Sequence, residues 1–134
     1  EAGMQTPKLK EQDFIGRAAH EKHRAEKPVT TLCTLYVDDH TSKSGVKRYM
    51  MGKEPILSVD GKTIEDAHGR RSYVTSAGSA PSLGKHILMS YIPTDLAVVG
   101  NKFLVEYLGE HYPCHIAGVG ATPMFDPNNE RILG

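Results

Sequence analysis

Tryptophan is missing altogether, cysteine occurs twice, and sixteen acidic residues cancel sixteen basic ones. Charge balance leaves no global field to steer the chain toward nucleic acid or an anionic lipid surface. No apolar run approaches the roughly 20 residues that cross a bilayer, and Glu1 to Gln5 carry no apolar signal core. Neither a membrane nor a nucleic-acid partner is expected. Cys33 and Cys114 each sit inside an apolar strand pattern, which fits buried thiols better than a disulfide framework. The expected location is therefore the cytoplasm. Neither Cys-x-x-Cys nor His-Glu-x-x-His occurs, so the common local zinc signatures are absent.

What the chain has instead is turn material. Thirteen glycines and eight prolines are spread through its 134 residues, a length that fits one domain with a modest core. Residues 1–10 are polar and read as a linker from an upstream domain, leaving 11–134 as the folded unit. Asp13 can cap a helix in which Phe14, Ile15, Ala18 and Ala19 form an apolar stripe, opposite a charged face. Pro28 ends it. This predicts a short surface helix docked on a sheet.

From Val29 the period switches to two: Cys33, Leu35 and Val37 share one face of a strand. Further strands are predicted at Tyr49 to Met51, Glu54 to Val59, Val74 onward, Ile87 to Ile92, Phe103 to Leu108 and Tyr112 to Ile116. Asp60-Gly61 and Gly109-Glu110 read as hairpin connections, and Lys62 to Arg71 as a second hairpin or an inserted loop. The fold class is mainly β: a small six- to seven-stranded antiparallel barrel or jelly roll with one N-terminal helix.

Seven histidines invite a metal reading. His111 and His115 share one strand face but stand about 13 Å apart, and Cys114 points the other way. Surface histidines are the default, and no metal is expected. A Cys114–His115 nucleophile pair fails for the same reason, because strand neighbours point apart. Asp38-Asp39 and Glu65-Asp66 sit in polar turns, where carboxylates bond nearby backbone amides. Lys43, Lys47, Arg48 and Lys53 surround Tyr49, but the aromatic interleaving is too thin for a single-strand groove.

The most informative segment runs from Ser72 through Tyr73, Val74, Thr75, Ser76, Ala77, Gly78, Ser79, Ala80, Pro81, Ser82, Leu83 and Gly84 to Lys85. It reads as strand, ordered small-residue loop, strand. It resembles the signature loop in the C-terminal β-barrel domain of the glycine-cleavage T-protein (aminomethyltransferase) family, roughly Gly-Tyr-Val-Thr-Ser-Gly-Gly-Tyr-Ser-Pro-Thr-Leu-Gly-Lys. Lys10 to Ala19, Gly52-Lys53-Glu54-Pro55-Ile56, Tyr91-Ile92-Pro93, Gly100 to Leu108 and Met124-Phe125-Asp126-Pro127 resemble further family segments, in order. Ser72, Ala77 and Ser79 stand where the motif has Gly, Gly and Tyr, and Lys62 to Arg71 is longer than the common hairpin. These departures point to a divergent member, similar to folate-dependent demethylases or dimethylglycine dehydrogenase.

The resemblance implies an accessory domain of a tetrahydrofolate-dependent enzyme of one-carbon transfer or demethylation. In that family the proton-handling aspartate and most folate contacts belong to two preceding domains. No catalytic residue carries over, and the isolated chain is expected to show no turnover. Its expected partners are upstream folate-binding domains of the same polypeptide, with self-association through the orphaned docking face. Thr75, Ser76, Ser79, Lys85 and Phe125 are the candidates for facing the folate cleft. A free-standing barrel that binds a ligand or nucleic acid is the alternative.

Overall fold

The strand with the clearest period-two pattern lies in the middle of the sheet. The computed structural model describes residues 12–134, so the linker expected at residues 1–10 lies outside the described residues. Among the described residues there are six strands: β1 (Thr30–Val37), β2 (Ile56–Leu57), β3 (Val74–Ala80), β4 (Lys85–Pro93), β5 (Lys102–Tyr107) and β6 (Glu110–Val119). Every pairing is antiparallel, and the order across the sheet is β2-β5-β6-β1-β4-β3. Cys33, Leu35 and Val37 of β1 face inward with Leu88 and Ile92 of β4, Val105 of β5, and Cys114 and Ile116 of β6. Each fully buried Leu or Ile contributes about 1.5–3 kcal/mol by leaving water.

The two outer strands of that order meet. Lys53 N–H donates to the Val74 carbonyl at 2.6 Å, Val74 N–H to that of Glu54 at 2.8 Å, and Ile56 N–H to that of Ser72 at 3.1 Å. This seam rolls the sheet into the expected barrel and removes much of its open edge. A register shift in the β1–β6 ladder at Thr34/Leu35 and another in the β3–β4 ladder between Val74 and Ser76 bend the wall. Glu54 organises the seam. Its buried carboxylate accepts the backbone N–H groups of Met51 at 2.7 Å and Gly52 at 2.8 Å. Gly52 takes φ 126°, where a side chain would be strained. The Gly-x-Glu-Pro pattern therefore has a structural cause.

Several local expectations need correction. The helix, α1 (Arg17–Ala25), starts after Phe14 and Ile15 of the apolar stripe and buries none of its residues, so it is not docked on the sheet. Gly16 in the left-handed region is its N-cap, and Asp13 bonds only the adjacent Phe14 N–H. Ile15, one of the four expected stripe residues, is fully exposed. Tyr49 to Met51 forms no strand, and the run Glu54 to Val59 reduces to the two residues of β2. The β5–β6 connection is Leu108-Gly109, one residue earlier than expected; both have positive φ, 52° and 75°, as a tight primed turn demands. Small residues do not make residues 75–80 a loop: they continue β3, and only Pro81–Leu83 turns, as a single 3-10 turn ending at Gly84.

Other expectations hold. Ser58 N–H bonds the Lys62 carbonyl across Asp60-Gly61, and Asp66 N–H that of Arg70 across the next hairpin. A short second helix, α2 (Glu130–Leu133), ends the chain.

Candidate functional site

β3, its 3-10 turn and β4 deliver Ser79, Ala80, Pro81, Gly84, Lys85 and His86 to one end of the barrel. There they meet Val37 and Asp38 from the end of β1, and His40, Lys47 and Tyr49 from the following loop. Together these residues line an open pocket of about 290 Å³. Asp38 is committed: its Oδ1 lies 2.6 Å from His115 Nδ1. Asp39 accepts the Thr41 N–H at 2.8 Å, the turn chemistry expected of it. Those bonds to Thr41 hold its carboxyl below the usual range, with His40 and Lys47 adding to the effect.

Within the pocket three rings form a cluster. His40 and His86 lie nearly parallel with centroids 6.0 Å apart, and Tyr49 meets them edge-on at 4.7 and 5.3 Å. His86 belongs to the inward-facing series His86, Leu88, Ser90, Ile92 of β4 and is 5% exposed. Burial pushes its pKa below the ordinary histidine value, and the nearby His40 adds to this against the Met50 carbonyl and Glu54.

Of the five cleft candidates, Ser79 and Lys85 come together at this pocket. Thr75 sits at the shift in the β3–β4 ladder, its hydroxyl donating to the Met89 carbonyl at 3.0 Å, and Ser76 follows it on the exposed strand. Both lie roughly 10 Å back along β3. Phe125 instead has the Arg131 guanidinium 5.1 Å over its ring. These residues do not fit tetrahydrofolate by themselves, since among the described residues the pocket at the barrel end gathers Ser79 and Lys85 but not Thr75, Ser76 or Phe125. The sequence reading missed His40, Tyr49 and His86 as a group. A polar imidazole in phase with Leu88, Ser90 and Ile92 was the available signal.

Other histidines and carboxylates lie away from this pocket. His20 and His23 of α1 and His68 line a second, open cleft of about 530 Å³ beside Arg24 and Arg70. Among the described residues, no three His, Cys, Asp or Glu side chains are arranged to hold a metal ion. Asp66 accepts the N–H groups of His68 and Arg70 and pairs with the Arg70 side chain at 2.6 Å. Cys33 and Cys114 are both free and buried. Among the described residues, no helix is long and apolar enough to cross a membrane.

Comparison with known proteins places this barrel. The family described as glycine cleavage T-protein C-terminal barrel domain matches residues 31–126. An aminomethyltransferase of Prochlorococcus marinus (strain MIT 9303) is 32% identical over 103 residues, covering 77% of this chain and 24% of that protein. One of Nostoc sp. is 32% identical over 118 residues, covering 88% and 27%. The chain thus spans about a quarter of the length of these relatives. The crystal structure of glycine cleavage system aminomethyltransferase T from Bartonella henselae superposes with a TM-score of 0.61 at 19% identity, over 78% of this chain and 25% of that one. That likeness shows the shared fold. With the family match spanning most of the seam, the motif turn and the β5–β6 hairpin, the chain belongs to the glycine cleavage T-protein C-terminal barrel domain family.

Proposed function

We propose that this barrel is the accessory domain of an aminomethyltransferase-type enzyme that passes a one-carbon unit to tetrahydrofolate. It packs on folate-handling domains of the same polypeptide in the cytoplasm and braces their cleft. The observation that carries this reading is the family match over residues 31–126 in a chain spanning only 24% of its Prochlorococcus relative. No catalytic residue is assigned to the barrel. From Thr75 onward the outer edge of β3 has no strand beside it among the described residues, and Met51 and Tyr73 near the seam expose apolar surface. These support a face built to meet a neighbour. Rigid walls behind a site keep its geometry productive, which is the work such a brace does.

Ser79 stands at the pocket rim where the motif has tyrosine, so β3 contributes no aromatic ring there. That favours a divergent, demethylase-like member over the T-protein proper. The test is a barrel exchange. The Nostoc aminomethyltransferase should lose aminomethyl transfer when its own barrel is deleted, and this chain fused in its place should restore it. Restoration by an unrelated barrel of equal size, or turnover by this chain alone, would refute the proposal.

A further inference from the structure

Among the described residues, three buried side-chain nitrogens have no partner at good hydrogen-bond geometry: Nδ1 of His40 and both ring nitrogens of His86, whose nearest acceptor is the Met50 carbonyl. Buried polar atoms are normally paired, because leaving one unpaired is destabilising. Three such atoms on two rings with centroids 6.0 Å apart, beside one pocket, call for a shared explanation. A metal does not supply it, since among the described residues no third ligand of the His, Cys, Asp or Glu type joins the two imidazoles.

The rest of the lining has a definite character. Lys47 and Lys85 bring ammonium groups to the rim, and Ser79 brings a hydroxyl. The one lining carboxylate, Asp38, is engaged with His115. We propose that this pocket binds the oxyanion of a small molecule, a carboxylate or a phosphate, contacted by His40 and His86 from within and by Lys47 and Lys85 at the rim.

A neutral imidazole offers one N–H donor, and either nitrogen can carry it, so both rings can turn a donor toward an anion. Charge-assisted bonds from lysine then add affinity and orientation. A volume of about 290 Å³ lies at the small end of ligand pockets and admits an anion the size of phosphate or glutarate. Tyr49, half exposed and edge-on to both imidazoles, is the cover that swings aside for entry. The proposal rests on the pocket alone and not on the folate reading.

The test titrates the full 134-residue chain with inorganic phosphate, and separately with glutarate, at constant ionic strength. Imidazole and amide resonances report binding by nuclear magnetic resonance. Saturable shifts are expected at His40, His86, Ser79 and Lys85. Saturation by phosphate only, by glutarate only, or by both supports the site and states which oxyanion it takes. The Lys47→Ala/Lys85→Ala double variant, altered only at exposed positions, should fold normally and bind about tenfold more weakly. His86→Gln should weaken binding comparably, while Lys62→Ala, outside the pocket, should leave it unchanged. Absence of saturable shifts with both anions, or undiminished binding by the double variant, overturns the proposal. Because no folate domain takes part, that failure would leave the accessory role untouched.

Discussion

Replacing Glu54 by Gln tests whether the seam depends on a buried carboxylate. Both oxygens of Glu54 are engaged, one with the Met51 N–H and one with the Gly52 N–H, and the residue is 7% exposed. Glutamine keeps the shape and one acceptor but turns an NH₂ group toward a backbone donor. One charge-assisted bond is lost, one weakens to a neutral bond, and an N–H is left facing another donor. Charge-assisted bonds contribute about 1.5–3 kcal/mol each, and an unpaired buried donor costs about 1–3 kcal/mol. Allowing for partial relaxation, Glu54→Gln should lower unfolding free energy by about 2–3 kcal/mol. For a domain of this size that corresponds to a fall in Tm of roughly 10 °C. With no tryptophan to report, urea and thermal unfolding are followed by far-ultraviolet circular dichroism. Glu65→Gln is the control: its carboxylate is exposed and only pairs with Arg71 at 3.3 Å, so its loss should stay within about 0.5 kcal/mol. If Glu54→Gln proves as mild as that control, the carboxylate does not hold the seam.

Burial pushes the Cys33 thiol up to about 11 and that of Cys114 to about 12, the latter helped by Asp38. At pH 8 both should resist Ellman's reagent in the native protein and react fully in denaturant; labelling of either without unfolding would contradict their placement. The depressed pKa of His86 sets a sign for pH dependence. An unfolded histidine takes up a proton near pH 6.5 while the buried ring resists, so this contribution to stability is complete above that pH. It is lost as pH falls through 6.5 toward the folded value. His86→Gln should flatten the stability difference between pH 7.5 and 5.5 relative to the parent, and an unchanged slope would show that the ring is not held neutral.

The barrel was legible where one face is dry. Cys33, Leu35 and Val37 alternate cleanly because β1 has neighbours on both sides and one buried face. The segment Ser76 to Ala80 was opaque for the opposite reason: its residues carry no apolar alternation, and the backbone ladder to β4 alone makes it a strand. The missing dock for α1 has a similar origin, since Phe14 and Ile15 lie before the helix that was meant to present them. Ser79 and Lys85 could be found together because a tight hairpin joins them. His40 and His86 stand far apart in sequence, and only the β1–β4 pairing, which sets Tyr36 opposite Ile87, brings their rings to 6.0 Å.

The position of β1 also bears on how the chain is made. Among the strands of this barrel the first to be synthesised is a central one, and its two partners, β4 and β6, are synthesised much later. A nascent polypeptide halted before Glu110 therefore exposes the whole Cys33–Val37 flank, including a sulfur destined for a dry interior. Long-range pairing of this kind is slow and prone to sticking. The final hairpin thus decides whether the nascent chain folds or becomes a chaperone's client.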